Sequence, residues 1–108
     1  VAYDPELADR MRARLTPSQP REVAMFGGLG FMINGKLAAF AHGDGGIWLR
    51  CAPDRVGELE RQGAQPAEMG NGRTMGPGWL RVSADKLSTE DMLAFWLDAA
   101  LDHNRESA

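Results

Sequence analysis

The residue types that most readily do covalent or metal chemistry are scarce in this sequence: one cysteine, Cys51, and two histidines, His42 and His103. His42 and Asp44 flank Gly43, with Cys51 a short distance on, so a thiol nucleophile, an imidazole base and an orienting carboxylate can be drawn on paper. Cys51 falls at the end of a strand-like run, however, where a small buried apolar residue is the simpler reading. The histidines lie far apart without the paired spacing of a zinc site, so no metal is expected. Ser18, Ser83 and Ser88 stand in loop or helix-cap contexts that account for them without catalysis. No catalytic residue is assigned, and the chain is expected not to be an enzyme.

Two glycine patterns imitate phosphate-binding loops. Gly30-Phe31-Met32-Ile33-Asn34-Gly35-Lys36-Leu37 departs from G-x-x-x-x-G-K-[ST] only at its last position, where Leu37 lacks the hydroxyl that would hold magnesium. Its middle residues read as a strand running into a turn, not as a loop opening a helix. Gly27-Gly28-x-Gly30 fails as a dinucleotide fingerprint, because Ile33 takes the place of the third glycine and no helix follows. No nucleotide cofactor is expected.

Two segments remain whose composition suits recognition. In Met25-Phe26-Gly27-Gly28-Leu29-Gly30-Phe31-Met32, glycines interrupt strand-like residues, which implies a bulge, a tight turn or the close approach of another backbone. In Gly72-Arg73-Thr74-Met75-Gly76-Pro77-Gly78-Trp79, glycines surround Arg73, Met75 and Trp79. Core packing with turn chemistry explains both. The functional alternative is a partner surface of Met25, Phe26, Gly27, Gly28, Arg73, Met75 and Trp79, since interfaces favour Arg and Trp anchors and adaptable Met.

These segments need a scaffold, and 108 residues suffice for a single domain over 1–108. Asp4-Pro5 reads as the start of a helix with Leu7, Met11 and Leu15 on one stripe and Pro17 near its end. Alternation over Arg21 to Cys51, with Asn34-Gly35 and Gly43-Asp44-Gly45-Gly46 as turns, predicts a meander of about four strands. A short helix follows Pro53 and ends at Gly63; Ala64 to Gly78 holds too many breakers for a regular element; Trp79 to Val82 is one more strand. Ser88 and Asp91 are expected to cap a last helix reciprocally. Its wide apolar arc from Met92 to Leu101 requires either a wedge between sheet and first helix or a second subunit at Phe95, hence a candidate homodimer.

The formal net charge of −3 argues against a surface built to neutralise phosphates, so direct nucleic-acid binding is disfavoured. Arg10, Arg12 and Arg14 do not share one helix face; Glu6 is expected to pair with Arg10. An unpaired cysteine fits a reducing, cytoplasmic setting, and no export signal or membrane-crossing run is visible, so no membrane partner is expected.

The opening helix at Tyr3-Asp4-Pro5-Glu6-Leu7, then Met25-Phe26-Gly27-Gly28-Leu29-x-Phe31-Met32-x-Asn34-Gly35, then Gly72-Arg73-x-Met75 with Gly78-Trp79, and an acidic closing helix together resemble the N-terminal domain of the TfoX/Sxy family, bacterial regulators associated with natural competence. Gly76-Pro77 is an insertion relative to that pattern. The resemblance implies an α+β fold of two layers, with an antiparallel sheet of about five strands under the N-terminal and C-terminal helices. It also implies a non-enzymatic role in transcription regulation through a protein partner; because the sequence stops after Ala108 without the second, helical domain of full-length family regulators, a stand-alone module is expected. The competing expectation is an enzyme or small-ligand binder that uses residues 64–78 as a lid over the sheet.

Overall fold

Helix α1 (Pro5–Leu15) begins where the sequence supplies its cap: the Asp4 carboxylate accepts from the Glu6 amide at 3.0 Å and Pro5 occupies the first turn, where its missing donor costs nothing. The computed structural model that shows this describes residues 3–68, 76 and 78–107. Four strands follow as a meander: β1 (Arg21–Met25), β2 (Gly28–Ile33), β3 (Lys36–Ala41) and β4 (Ile47–Arg50). Helix α2 (Val56–Arg61) is succeeded by Gly63 at φ 117°, then β5 (Gln65–Pro66), β6 (Trp79–Val82) and the long helix α3 (Glu90–Ser107). All strand pairs are antiparallel, in the spatial order β1-β2-β3-β4-β6-β5. The fold is the expected α+β arrangement, with six strands where about five were expected. The extra one, β5, is two residues long inside the stretch read as irregular; at the sheet edge Pro66 needs no ladder partner for its missing donor.

Alternation along the strands divides the sheet into two unlike faces. On one, Leu29, Phe31, Ile47, Leu49, Leu80 and Val82 pack with Leu7, Met11 and Leu15 of α1 and Leu93 and Leu97 of α3 in one buried core. Helix α3 contacts α1, β3 and β4, so it is the wedge. Phe95 is left 41% exposed on it. On the other face, no helix among the described residues covers the smaller cluster of Phe40, Trp48 and Ala67, against which Met25 and Trp79 pack. No helix among the described residues is long and apolar enough to cross a membrane.

The arginines of α1 tie layers together and leave Glu6 aside. Arg10 bonds Glu90 and the Leu87 carbonyl, both at 2.6 Å, Arg12 bonds Glu22 at 2.5 Å, and Arg14 reaches Asp98 at 2.6 Å. The expected Glu6–Arg10 pair is displaced because Glu90, at the start of α3, and the Leu87 and Thr89 carbonyls just before it engage the same guanidinium. The cap of α3 is likewise one residue later than expected: Thr89 Oγ1 accepts from the Met92 amide at 3.1 Å, and the Ser88 hydroxyl lies against the Met92 sulfur instead. The Ser88–Asp91 reciprocal cap does not form.

Two contacts fix the sheet's geometry. Asn104, buried on α3, accepts from Asn34 Nδ2 at 2.8 Å and donates to the Ile33 carbonyl at 2.9 Å, pinning the last helix to the β2–β3 turn. At Gly28 a Cβ would stand 2.5 Å from the Phe40 ring and closer still to the Ala41 carbonyl oxygen. Asn104→Leu is expected to cost about 2 kcal/mol, because a buried carbonyl loses its donor while Asn34 can return to water. Gly28→Ala is expected to cost about 3 kcal/mol, the upper part of the overpacking range, since backbone is in the way. Urea midpoints, read with an unchanged dependence on denaturant, check both.

Candidate functional site

The face opposite the helices carries a cross-strand row set by register: Gly30 lies opposite Phe40, Phe40 opposite Trp48, Trp48 opposite Arg81 and Arg81 opposite Gln65. Phe40 and Trp48 rings stand 5.2 Å apart, and His42, two residues beyond Phe40 and so on the same side, stacks 5.0 Å from Trp48. Gly28 makes room for the Phe40 ring, and Gly30 for two aliphatic side chains beside it: a Cβ at Gly30 would meet Leu37 at 2.9 Å and Met25 at 3.1 Å.

Beside this row rises the β1–β2 turn. Met25 and Gly28 pair directly, leaving a two-residue connection in which Phe26 has φ 50° and Gly27 φ 74°. The β2–β3 connection repeats the geometry, with Asn34 at φ 54° and Gly35 at φ 77°. Positive φ at both residues marks the hairpin turn that favours Asn-Gly. The chain therefore holds two turns of one kind, one with the favoured asparagine and one with phenylalanine in its place. A bulky residue is strained there, and Phe26 is also 71% exposed. Neither backbone preference nor core packing accounts for it.

Phe26, His42, Trp48 and Glu68 line one cavity of about 240 Å³. A neighbouring one of about 550 Å³ shares His42, Trp48 and Glu68 and adds Asp44, Gln65 and Arg81. Asp44 and Arg81 pair at 3.4 Å, whereas Glu68 has no ion pair among the described residues. Trp48 Nε1 is buried without a hydrogen-bond partner among the described residues.

The structure brings together part of the surface proposed from sequence. Met25, Phe26, Gly27, Gly28 and Trp79 all stand at or beside the helix-free face; the glycine signal reflects both a tight turn and a close approach. Arg73 and Met75 lie outside the described residues, as does most of the 64–78 lid. His42, Trp48, Glu68 and Arg81 were not singled out as recognition residues. Period-two spacing joins Phe40 to His42, but only strand register reveals the rest.

His42, Asp44 and Cys51 do not converge. His42 and Asp44 hold the β3–β4 turn, where Nδ1 of His42 accepts the Asp44 amide at 3.1 Å. Cys51 follows the far end of β4 and is fully buried in the helix-side core, where burial pushes its thiol up and away from the reactive thiolate. Among the described residues no three His, Cys, Asp or Glu side chains are grouped to hold a metal ion.

Burial works to raise the Asp44 carboxyl, but the Gly46 amide, His42 and Arg81 outweigh it and hold it below its usual value. A carboxyl lowered in the folded state contributes stability that is full above its unfolded value, about 4, and is lost as the pH falls through the lower folded value. Asp44→Asn should thus flatten the acid limb of the thermal midpoint measured between about pH 6 and 3; an unchanged limb would assign that dependence to other carboxylates.

A search of curated proteins gives no match. A family model described as the TfoX N-terminal domain matches residues 13–104. Those residues include all six strands, the β1–β2 turn and nearly all of α3, and on that match the chain belongs to the TfoX N-terminal domain family.

Proposed function

We propose that this domain is a non-enzymatic interaction module of regulatory type, which binds a protein partner through the helix-free face of its sheet. The observation that carries the reading is Phe26, a large apolar side chain held exposed in a strained turn whose twin in the same chain uses asparagine. An exposed aromatic with no role in its own fold suits an anchor, the kind of residue that dominates interface energies. Family membership supports the same reading, since the family's likeness to competence regulators implies partners in transcription control and a bacterial, cytoplasmic setting. The buried Cys51 supports it as well, because the one thiol stands apart from the histidine and carboxylate that could activate it. Partner capture through Trp79, and through Arg73 and Met75 of the adjoining segment, belongs to the same proposal.

A small-ligand site is the competing reading, favoured by the cavity of about 550 Å³ beside Arg81 and Gln65. A thermal-shift screen with nucleotides and metabolites separates the two, since a ligand at 100 times its dissociation constant adds about 2.7 kcal/mol.

Phe26→Asn tests the anchor directly. The substitution supplies the residue the turn prefers and removes an exposed ring, so the thermal midpoint should stay or rise, with a gain of up to about 1 kcal/mol. Capture of the host partner by the immobilised domain should fall at least tenfold. Undiminished capture, or a variant that loses stability, would remove Phe26 from the interface.

A further inference from the structure

We propose that Phe26, His42, Trp48 and Glu68 form a receptor for the guanidinium of an arginine side chain presented by a peptide segment of a protein partner. The inference rests on the interaction-module reading and specifies its chemistry.

Three of the four residues lining the cavity of about 240 Å³ are aromatic, and the fourth is a carboxylate. The faces of phenylalanine and tryptophan, here Phe26 and Trp48, carry negative potential and attract organic cations, the more so in a site partly shielded from water. Glu68 supplies a formal charge that no cation among the described residues neutralises, while the nearby Arg81 has its own carboxylate in Asp44. The cavity thus combines rings with a negative charge that no cation among the described residues compensates. A guanidinium is weakly hydrated, stacks flat on rings and offers paired N–H donors to a carboxylate, which favours it over a compact ammonium.

A second need at the same place points to a peptide as the source of that cation. Trp48 lines the cavity, and its Nε1–H is buried without an acceptor among the described residues. A buried donor left unpaired is costly, so an occupant that brings a carbonyl is favoured over one that does not. An arginine within a chain brings both groups. The exposed ring of Phe26 at the turn tip then closes the outer side of the site, which gives the strained turn its use.

The test is an NMR titration of the whole ¹⁵N-labelled domain with three probes: acetyl-Gly-Arg-Gly-amide, the same peptide with citrulline, and n-propylguanidinium. Citrulline keeps the shape of arginine without its charge; n-propylguanidinium keeps the single charge without the carbonyl. The arginyl peptide should move the Trp48 indole N–H resonance and bind about tenfold tighter than either control. Glu68→Gln should reduce that advantage over citrulline to about twofold, with the thermal midpoint unchanged because Glu68 is exposed and has no ion pair among the described residues. Equal binding of arginyl and citrullyl peptides, or none of either, would overturn the cation site. n-Propylguanidinium binding as tightly as the arginyl peptide would overturn the peptide source. Partner capture that depends on Phe26 but is indifferent to Glu68→Gln would sink this inference while leaving the interaction surface standing.

Discussion

The absence of a side chain at Gly28 governs how the exposed half of this sheet is built. The Phe40 ring occupies the space a Cβ would need, and the β3 carbonyl at Ala41 comes closer still. With Phe40 laid down in that way, Trp48 and His42 can stack in sequence, and Met25 can fill the edge over Gly30. An alanine-sized residue would lift the first ring and disturb every ring after it, because close-packed groups transmit displacement. The aromatic floor of the candidate site is therefore a property of β2 as much as of the residues that form it.

The two faces divide the work. Helices α1 and α3 cover one side with a dry aliphatic core, and the Asn104 bonds fix where the β2–β3 turn sits relative to α3. Arg10, Arg12 and Arg14 direct their charge to carboxylates on α3 and β1, an arrangement that locates α1 more than it stabilises it, given how little exposed ion pairs contribute. The opposite side has fewer and larger side chains, several half-exposed, and it carries the strained turn. The large aliphatic core is concentrated on one side and the exposed aromatic and charged groups of the candidate site on the other.

Much of the scaffold was legible in the residues because the signals were local. Asp4-Pro5 started α1, Asn34-Gly35 made a hairpin turn and period-two alternation gave the meander, each within a few residues. The misreadings came from tertiary competition: Arg10 found Glu90 in place of Glu6, Thr89 displaced Ser88 as the cap, and β5 formed from two residues because the edge of β6 was there to pair with. The candidate site was harder to see. Phe26 and Gly28 were visible as oddities, but His42, Trp48, Glu68 and Arg81 come from separate segments, and only register across three strands sets His42, Trp48 and Arg81 side by side. Phenylalanine also disguised the β1–β2 turn, since composition gives no reason to expect it at positive φ.

The burial of Cys51 has a practical consequence. The thiol has no exposed surface, its ionisation is suppressed, and its strand end is held by the bond from its amide to the Gly78 carbonyl at 2.8 Å. A thiol-specific reagent can reach it only when the junction of β4 and β6 parts from the helical layer, so its labelling rate reads the opening of that junction and is blind to fluctuations of the aromatic side. The chain carries a built-in clock for core breathing, already placed away from the surface where a partner would sit.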